Sequence, residues 1–181
     1  MSVNNTSRKT SAYLSIGSNK GETVKNLCLA IQTLKKKQGV RLIKVSSFYK
    51  TAPQNYTDQD WFVNAALKIE TTHSPEALLE LLKEIEGRLD KDGKPFRFGP
   101  RIIDLDIIFF GNKIIKTDRL ELPHPRMHER CFVLLPLCDI DKDLVHPVSG
   151  QTTGELLKQI ETDDTQAVIP LDQEETREIF Y

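Results

Sequence analysis

The chain has 181 residues, 39% of them hydrophobic and 28% charged. That is enough for one compact domain with its own core and too little for two ordinary ones. Lys and Arg total 25 against 26 Asp and Glu, a net charge of −1, so there is no general electrostatic pull toward nucleic acid or an anionic membrane, and any anion must be held locally.

Residues 1–11 are polar and read as a disordered N-terminal extension, without the apolar stretch that a secretory signal needs. No later segment approaches a membrane span. Cys28, Cys131 and Cys138 are widely separated and form no CxxC pair, which points to reduced thiols packed as small hydrophobes and a cytoplasmic setting.

Residues 12–17 read as a strand that stops at the turn-forming triplet Gly17-Ser18-Asn19. Val24, Leu27, Ala30, Ile31 and Leu34 then recur at helical spacing, ending in Lys35-Lys36-Lys37, whose charge complements the end of a helix. Residues 40–49 and 61–71 alternate as two further strands joined by a polar connector. Ser74-Pro75-Glu76 starts a second helix, with Leu78, Leu79, Leu81, Leu82 and Ile85 on its apolar side, and Gly87 marks the approach of a charged loop over residues 90–99.

Residues 102–110 form the next strand, and Gly111-Asn112 turns into Lys113-Ile114-Ile115. Residues 132–137 read as a short helix or buried segment and 154–160 as a second short helix. The acidic, apolar-poor segment 162–181 is expected to be weakly attached. The order strand, helix, strand, strand, helix, strand predicts a ferredoxin-like α+β domain over residues 12–161, an antiparallel sheet with helices packed on one face of it and long mobile active-site loops.

Within Gly99-Pro100-Arg101-Ile102-Ile103-Asp104-Leu105-Asp106 the two acids lie two apart in a strand, so they face the same way while Ile103, Leu105 and Ile107 turn to the core. Adjacent carboxylates on a strand repel each other and call for a cation; Mg²⁺, a hard ion that keeps part of its shell for water or phosphate, suits them. By itself a D-x-D pair also fits a solvated sheet face partnered by Arg or Lys. Its setting favours the metal: Lys91, Lys94, Arg97 and Arg101 precede it, and Arg119, His124, Arg126, His128 and Arg130 follow. So many cations beside a metal pair repel one another unless a polyphosphate lies between them. Asn64, an amide in the apolar run Phe62-Val63-Asn64-Ala65-Ala66, costs stability unless paired, either with neighbouring backbone or with a ligand edge that offers donors and acceptors.

Four blocks, in order and in spacing, resemble the 6-hydroxymethyl-7,8-dihydropterin pyrophosphokinase family. They are residues 12–19, residues 45–53 with 62–66, residues 99–106, and Leu122-Pro123-His124 through Arg130-Cys131-Phe132. The resemblance implies transfer of the β,γ-diphosphate of ATP to the hydroxymethyl group of the dihydropterin, a step of folate biosynthesis, with AMP as the other product. It implies two Mg²⁺ ions on Asp104 and Asp106. Catalytic roles fall to Lys91, Arg101, Asp104 and Asp106, and nucleotide contacts to Glu86, Lys94, Phe98, Arg101, Ile107, Arg119, His124 and Arg130. The pterin would meet Thr51, Ala52, Pro53, Gln54, Asn64 and Asp104, stacked between Phe62 or Tyr49 on one side and Phe132 on the other. The implied partners are ATP and the pterin, with no nucleic acid or membrane, for a monomer or a homodimer.

The chain departs from the family where a Gly-Arg-x-Arg run and a Trp usually stand: it has Lys91-Asp92-Gly93-Lys94, and Phe98 in the Trp place. Gly87-Arg88 is a candidate for the shifted Gly-Arg pair, which leaves open the cation that closes on the phosphates. Two other readings fit the topology. A non-catalytic nucleotide-binding module would bind ATP without turnover, and an RNA-binding sheet would need exposed aromatics and a basic surface.

Overall fold

The computed structural model describes residues 9–54, 56–91, 99–160 and 166–172. The chain runs through β1 (Thr10–Ser18), α1 (Thr23–Lys35), β2 (Val40–Val45), β3 (Tyr49–Thr51), β4 (Phe62–Thr71), α2 (Pro75–Leu89) and β5 (Asp104–Phe110). The ribbon strands β6 (Ile115–Lys116) and β7 (Glu121–Leu122), a 3-10 turn at Met127–Glu129, α3 (Cys131–Asp141), α4 (Thr153–Gln159) and β8 (Val168–Pro170) follow.

The main sheet has the order β5-β1-β4-β3-β8, with β2 pairing the far half of β4. All its pairings are antiparallel. This is the ferredoxin-like arrangement that the element order predicts.

Alternation along the strands sorts side chains to two faces. Leu14, Ile16, Val63, Ala65, Leu67 and Ile69 pack with Leu27, Ile31 and Leu34 of α1 and Leu78, Leu82 and Ile85 of α2 in the larger core. Against the expectation of helices on one face, the opposite face is covered too: Tyr13, Ala66, Ile108 and Phe109 pack with Val133, Leu134 and Leu137 of α3 and Leu156 of α4. Because α3 and α4 cover only part of that face, the stretch of sheet carrying Ser15, Gly17, Asn64, Asp104 and Asp106 is left for a cavity.

Four local expectations are corrected. Residues 40–49 are two strands, because Ser46 bonds Ala66 with both its backbone N–H and its hydroxyl oxygen and so ends the β2 ladder. Gly87 lies inside α2, which continues to Leu89 with an Arg88–Glu84 pair one turn apart at 2.6 Å. A bulge on β5 opposite Tyr13 and Leu14 inserts Ile108 as an extra residue, so Phe109 joins the α3 side and Phe110 the α1/α2 side, against simple alternation. Part of the segment expected to hang loosely forms β8, whose Thr51↔Val168 register and Leu171 N–H to Phe48 carbonyl bond extend the sheet. Among the described residues no helix is long and apolar enough to cross a membrane.

Candidate active site

Sheet register builds the site. Gly17 of β1 lies opposite Asn64 of β4 on one side and Asp104 of β5 on the other; Ser15 lies opposite Asp106. Three neighbouring strands therefore place an amide and a carboxylate about 10 Å apart across a glycine, two strand spacings. The glycine is required there, since a Cβ at Gly17 would collide with the Asn64 side-chain oxygen. The result is a cavity of about 270 Å³.

One wall is polar and buried. Asn64 and Thr51 are 4% and 1% exposed, and Asn64 Nδ2 donates to Thr51 Oγ1 at 2.7 Å. Ala52, Gln54 and Phe62 complete that side, and Phe132 comes from the first turn of α3. Tyr49, the alternative stacking partner, is not on the wall. Its ring is buried and its hydroxyl donates to Asp139 Oδ2 at 2.7 Å, which fastens β3 to α3.

The opposite wall is ionic. Arg101 donates from a terminal nitrogen to Asp104 Oδ2 at 2.6 Å, and its guanidinium lies over the Phe62 ring at 5.6 Å. Arg130 lies over Phe132 at 5.5 Å. The two aromatic faces are thus covered by cations in this state. Arg130 Nε is buried with no hydrogen-bond partner among the described residues, a cost that a bound anion would remove. Burial lowers the Arg130 pKa, Arg126 adds to this, and Asp106 and Asp104 oppose it.

His124 is brought over β5 by its backbone N–H, which donates to the Ile108 carbonyl at 3.0 Å just after a cis Leu122–Pro123 peptide. Burial holds its imidazole below the usual 6.5, with Asp106 acting in the other direction.

Sequence reasoning passed over Lys83, Ser15, Gly17 and Gln59, all of which line the cavity. Lys83 bonds both Glu86 carboxylate oxygens at 2.9 Å. Burial pushes its ammonium down, but Glu86, Asp106 and Asp104 together outweigh that and raise it. Its helical spacing to Glu86, three residues along the edge of α2 that meets β5, was the available signal.

Glu86 stands behind the cavity wall. Its Oε1 accepts the Leu105 N–H at 2.6 Å and so joins α2 to the carboxylate strand, and burial raises its pKa while Lys83 opposes. Ile107 is part of the larger core, since its side chain is on the face away from Asp106. Pro53 is buried next to the wall but does not line it.

Arg119 is exposed, lies 3.4 Å from Glu80 and borders a second depression with Leu79, Leu120 and Glu76. Lys91 is exposed at the end of α2 and does not line the cavity, and Lys94 and Phe98 fall outside the described residues.

Asp104 and Asp106 offer hard oxygen donors side by side, and among the described residues no cluster of three or more His, Cys, Asp or Glu surrounds them. That donor set fits an ion completed by water and phosphate oxygens better than an all-protein cage.

Comparison with known proteins agrees with this geometry. The family model for 7,8-dihydro-6-hydroxymethylpterin-pyrophosphokinase matches residues 13–142. A Methylorubrum extorquens 2-amino-4-hydroxy-6-hydroxymethyldihydropteridine pyrophosphokinase is 41% identical over 152 residues, 84% of this chain and 94% of that protein. Its Bacillus subtilis namesake is 45% identical over 144 residues, 80% and 86% of the two chains.

The folic acid synthesis protein of Pneumocystis carinii is 44% identical over 158 residues, 87% of this chain, of which the chain spans only 21%. Wild-type Plasmodium falciparum HPPK-DHPS shares the fold, with a TM-score of 0.64 at 19% identity over 84% of this chain and 41% of that one. With the family model covering most of its length and bacterial relatives matched almost end to end, the chain belongs to the 7,8-dihydro-6-hydroxymethylpterin-pyrophosphokinase family.

Proposed function

We propose that this chain transfers the β,γ-diphosphate of ATP to the hydroxymethyl oxygen of 6-hydroxymethyl-7,8-dihydropterin, releasing AMP, with two Mg²⁺ ions held by Asp104 and Asp106. The observation that carries this reading is the facing of Asn64 and Thr51 against Asp104 and Asp106 across Gly17 within one cavity. A pterin seated over Gly17 sets its polar ring edge on the Asn64 side and its hydroxymethyl arm toward the carboxylates. Phe62 and Phe132 sandwich the ring once Arg101 and Arg130 leave their faces for the phosphates.

The nucleotide would run along α2. Glu76, Leu79, Lys83 and Glu86 are three or four residues apart and form one ridge from the second depression to the first. Leu79 to Lys83 is one turn, about 6 Å, so a base against Leu79 and Leu120 with Arg119 at its rim leaves the phosphates beside Lys83, Arg101, His124 and Arg130.

When bound, the ions would neutralise phosphate charge and favour loss of the hydroxymethyl proton. The chain's own part is positioning and charge complementation, which is where catalysis of phosphoryl-type transfer resides. Lys91, Lys94 and Phe98 complete the proposed set from the loop after α2. The reading carries with it a cytoplasmic enzyme acting as a monomer or homodimer.

The test is an AMP-release assay with ATP, the pterin and Mg²⁺. Release requiring all three supports the enzyme; nucleotide binding without AMP under the same conditions selects the non-catalytic module.

A further inference from the structure

The segment 166–171 lies beyond residues 13–142, the span of the family model, and yet it bonds residues of the cavity wall. Ala52, on the cavity wall, donates its N–H to the Ala167 carbonyl at 3.0 Å, and Thr51 pairs with Val168 in the β3–β8 ladder. At the head of this strap one oxygen receives two bonds. Gln166 Oε1 accepts from the Gln54 side-chain nitrogen at 3.1 Å and from the Cys131 backbone N–H at 3.0 Å.

Gln54 lines the cavity, and Cys131 stands between Arg130 and Phe132, which also line it. The Cys131 N–H is in the first turn of α3, where backbone donors have no partner inside the helix and an outside acceptor fixes the helix start.

From this geometry we infer that Gln166 is a positioning residue of the pterin site, one carbonyl that sets the Gln54 rim and the Arg130–Phe132 turn at a fixed separation. The inference rests on the pterin reading of the cavity given above. It assigns part of the site to a C-terminal strap that sequence composition marks as a loose tail. At Gln166 itself the contact is hydrogen-bond acceptance by one oxygen. A glutamate at this position offers the same oxygen to both donors, whereas an alanine offers none.

The experiment compares the full chain with Gln166→Ala and Gln166→Glu in two measurements. One is titration with fluorescent 6-hydroxymethylpterin at saturating, non-hydrolysable ATP analogue, together with KM for each substrate. The other is amide hydrogen exchange of the 51–54 peptide in the unliganded protein.

The expected result for Gln166→Ala is a rise of about tenfold in pterin Kd and KM, the loss of two hydrogen bonds, with a smaller rise in nucleotide KM through Arg130 and faster exchange at Ala52. Gln166→Glu should keep wild-type values. Wild-type affinity and exchange in Gln166→Ala would overturn the inference, as would equal losses in both variants, since those would report packing and not acceptance. A wild-type chain that does not bind the pterin probe at all refutes the pterin reading itself, and the exchange comparison then still decides whether Gln166 holds the rim.

Discussion

Replacing Asn64 by alanine tests both what the cavity wall binds and what holds it together. Asn64 is 4% exposed and donates to the hydroxyl of Thr51, itself 1% exposed. The truncation strands that hydroxyl, and leaving a buried polar group unpaired costs about 1–3 kcal/mol. For a domain of this size that lowers the melting temperature by about 2–12 °C. The vacated volume opens into the cavity, so no sealed void adds to the loss.

Adding Thr51→Val removes the stranded hydroxyl at nearly constant shape and should recover about 1 kcal/mol of the loss. Pterin affinity should behave differently. It falls about ten- to hundredfold in Asn64→Ala and stays low in the double variant, because the ligand contact is not restored. Urea denaturation of the single and double variants, run beside a pterin titration, separates the two effects. A double variant no more stable than Asn64→Ala would refute the stranded-hydroxyl account, and unchanged pterin affinity in the single variant would remove Asn64 from the site.

Asp106→Ala should cut AMP release by about a thousandfold or more, the scale of losing metal-assisted charge stabilisation, while circular dichroism and the melting temperature stay unchanged. Turnover surviving in that variant would refute the two-metal reading. Lys83→Met should raise nucleotide KM with little change in pterin Kd, because Lys83 lines the cavity on the side of Asp104 and Asp106, where the proposed function puts the phosphates; equal effects on both substrates would contradict that placement.

His146 gives a pH test away from the site. Its Nδ1 accepts from the Val148 and Ser149 N–H groups, it packs edge-on against Phe109 at 5.7 Å, and burial, with His128 adding to it, holds it below the usual 6.5. The folded protein therefore takes up this proton less readily than the unfolded chain. Its contribution to stability is full above pH 6.5 and is lost as the pH falls toward the folded value. The imidazole shift followed by NMR should titrate below 6.5, and a midpoint at or above that value would overturn this account.

Several elements were legible from local pattern alone. The apolar spacing in α1 and α2, the alternation in β1, β4 and the start of β5, and the shared face of Asp104 and Asp106 all follow from periods that a short window of sequence contains. The Ser74-Pro75 start of α2 appeared as expected, with Ser74 Oγ accepting the Ala77 N–H.

The misreadings share one physical origin, a partner far along the chain. The split between β2 and β3 depends on Ser46 finding Ala66, and β8 is a strand only because β3 presents a free edge to it. The β5 bulge that sends Phe109 and Phe110 to opposite cores shows only against β1. Lys83 reaches the cavity only because α2 docks beside β5. Arg119, which the motif spacing groups with the other cations, is held apart by the β6–β7 ribbon on the rim of the second depression.

By itself the amino-acid sequence determined the class of fold, the apolar faces of α1, α2, β1 and β4, and the shared face of Asp104 and Asp106, because these depend on spacings within a few residues. Only the tertiary structure decided that Gly17 lies between Asn64 and Asp104, that Arg130 Nε has no partner among the described residues, and that Gln166 and Ala167 bond residues of the cavity wall. Those relations are set by pairing between strands and by burial, and neither can be assigned until distant segments are brought together.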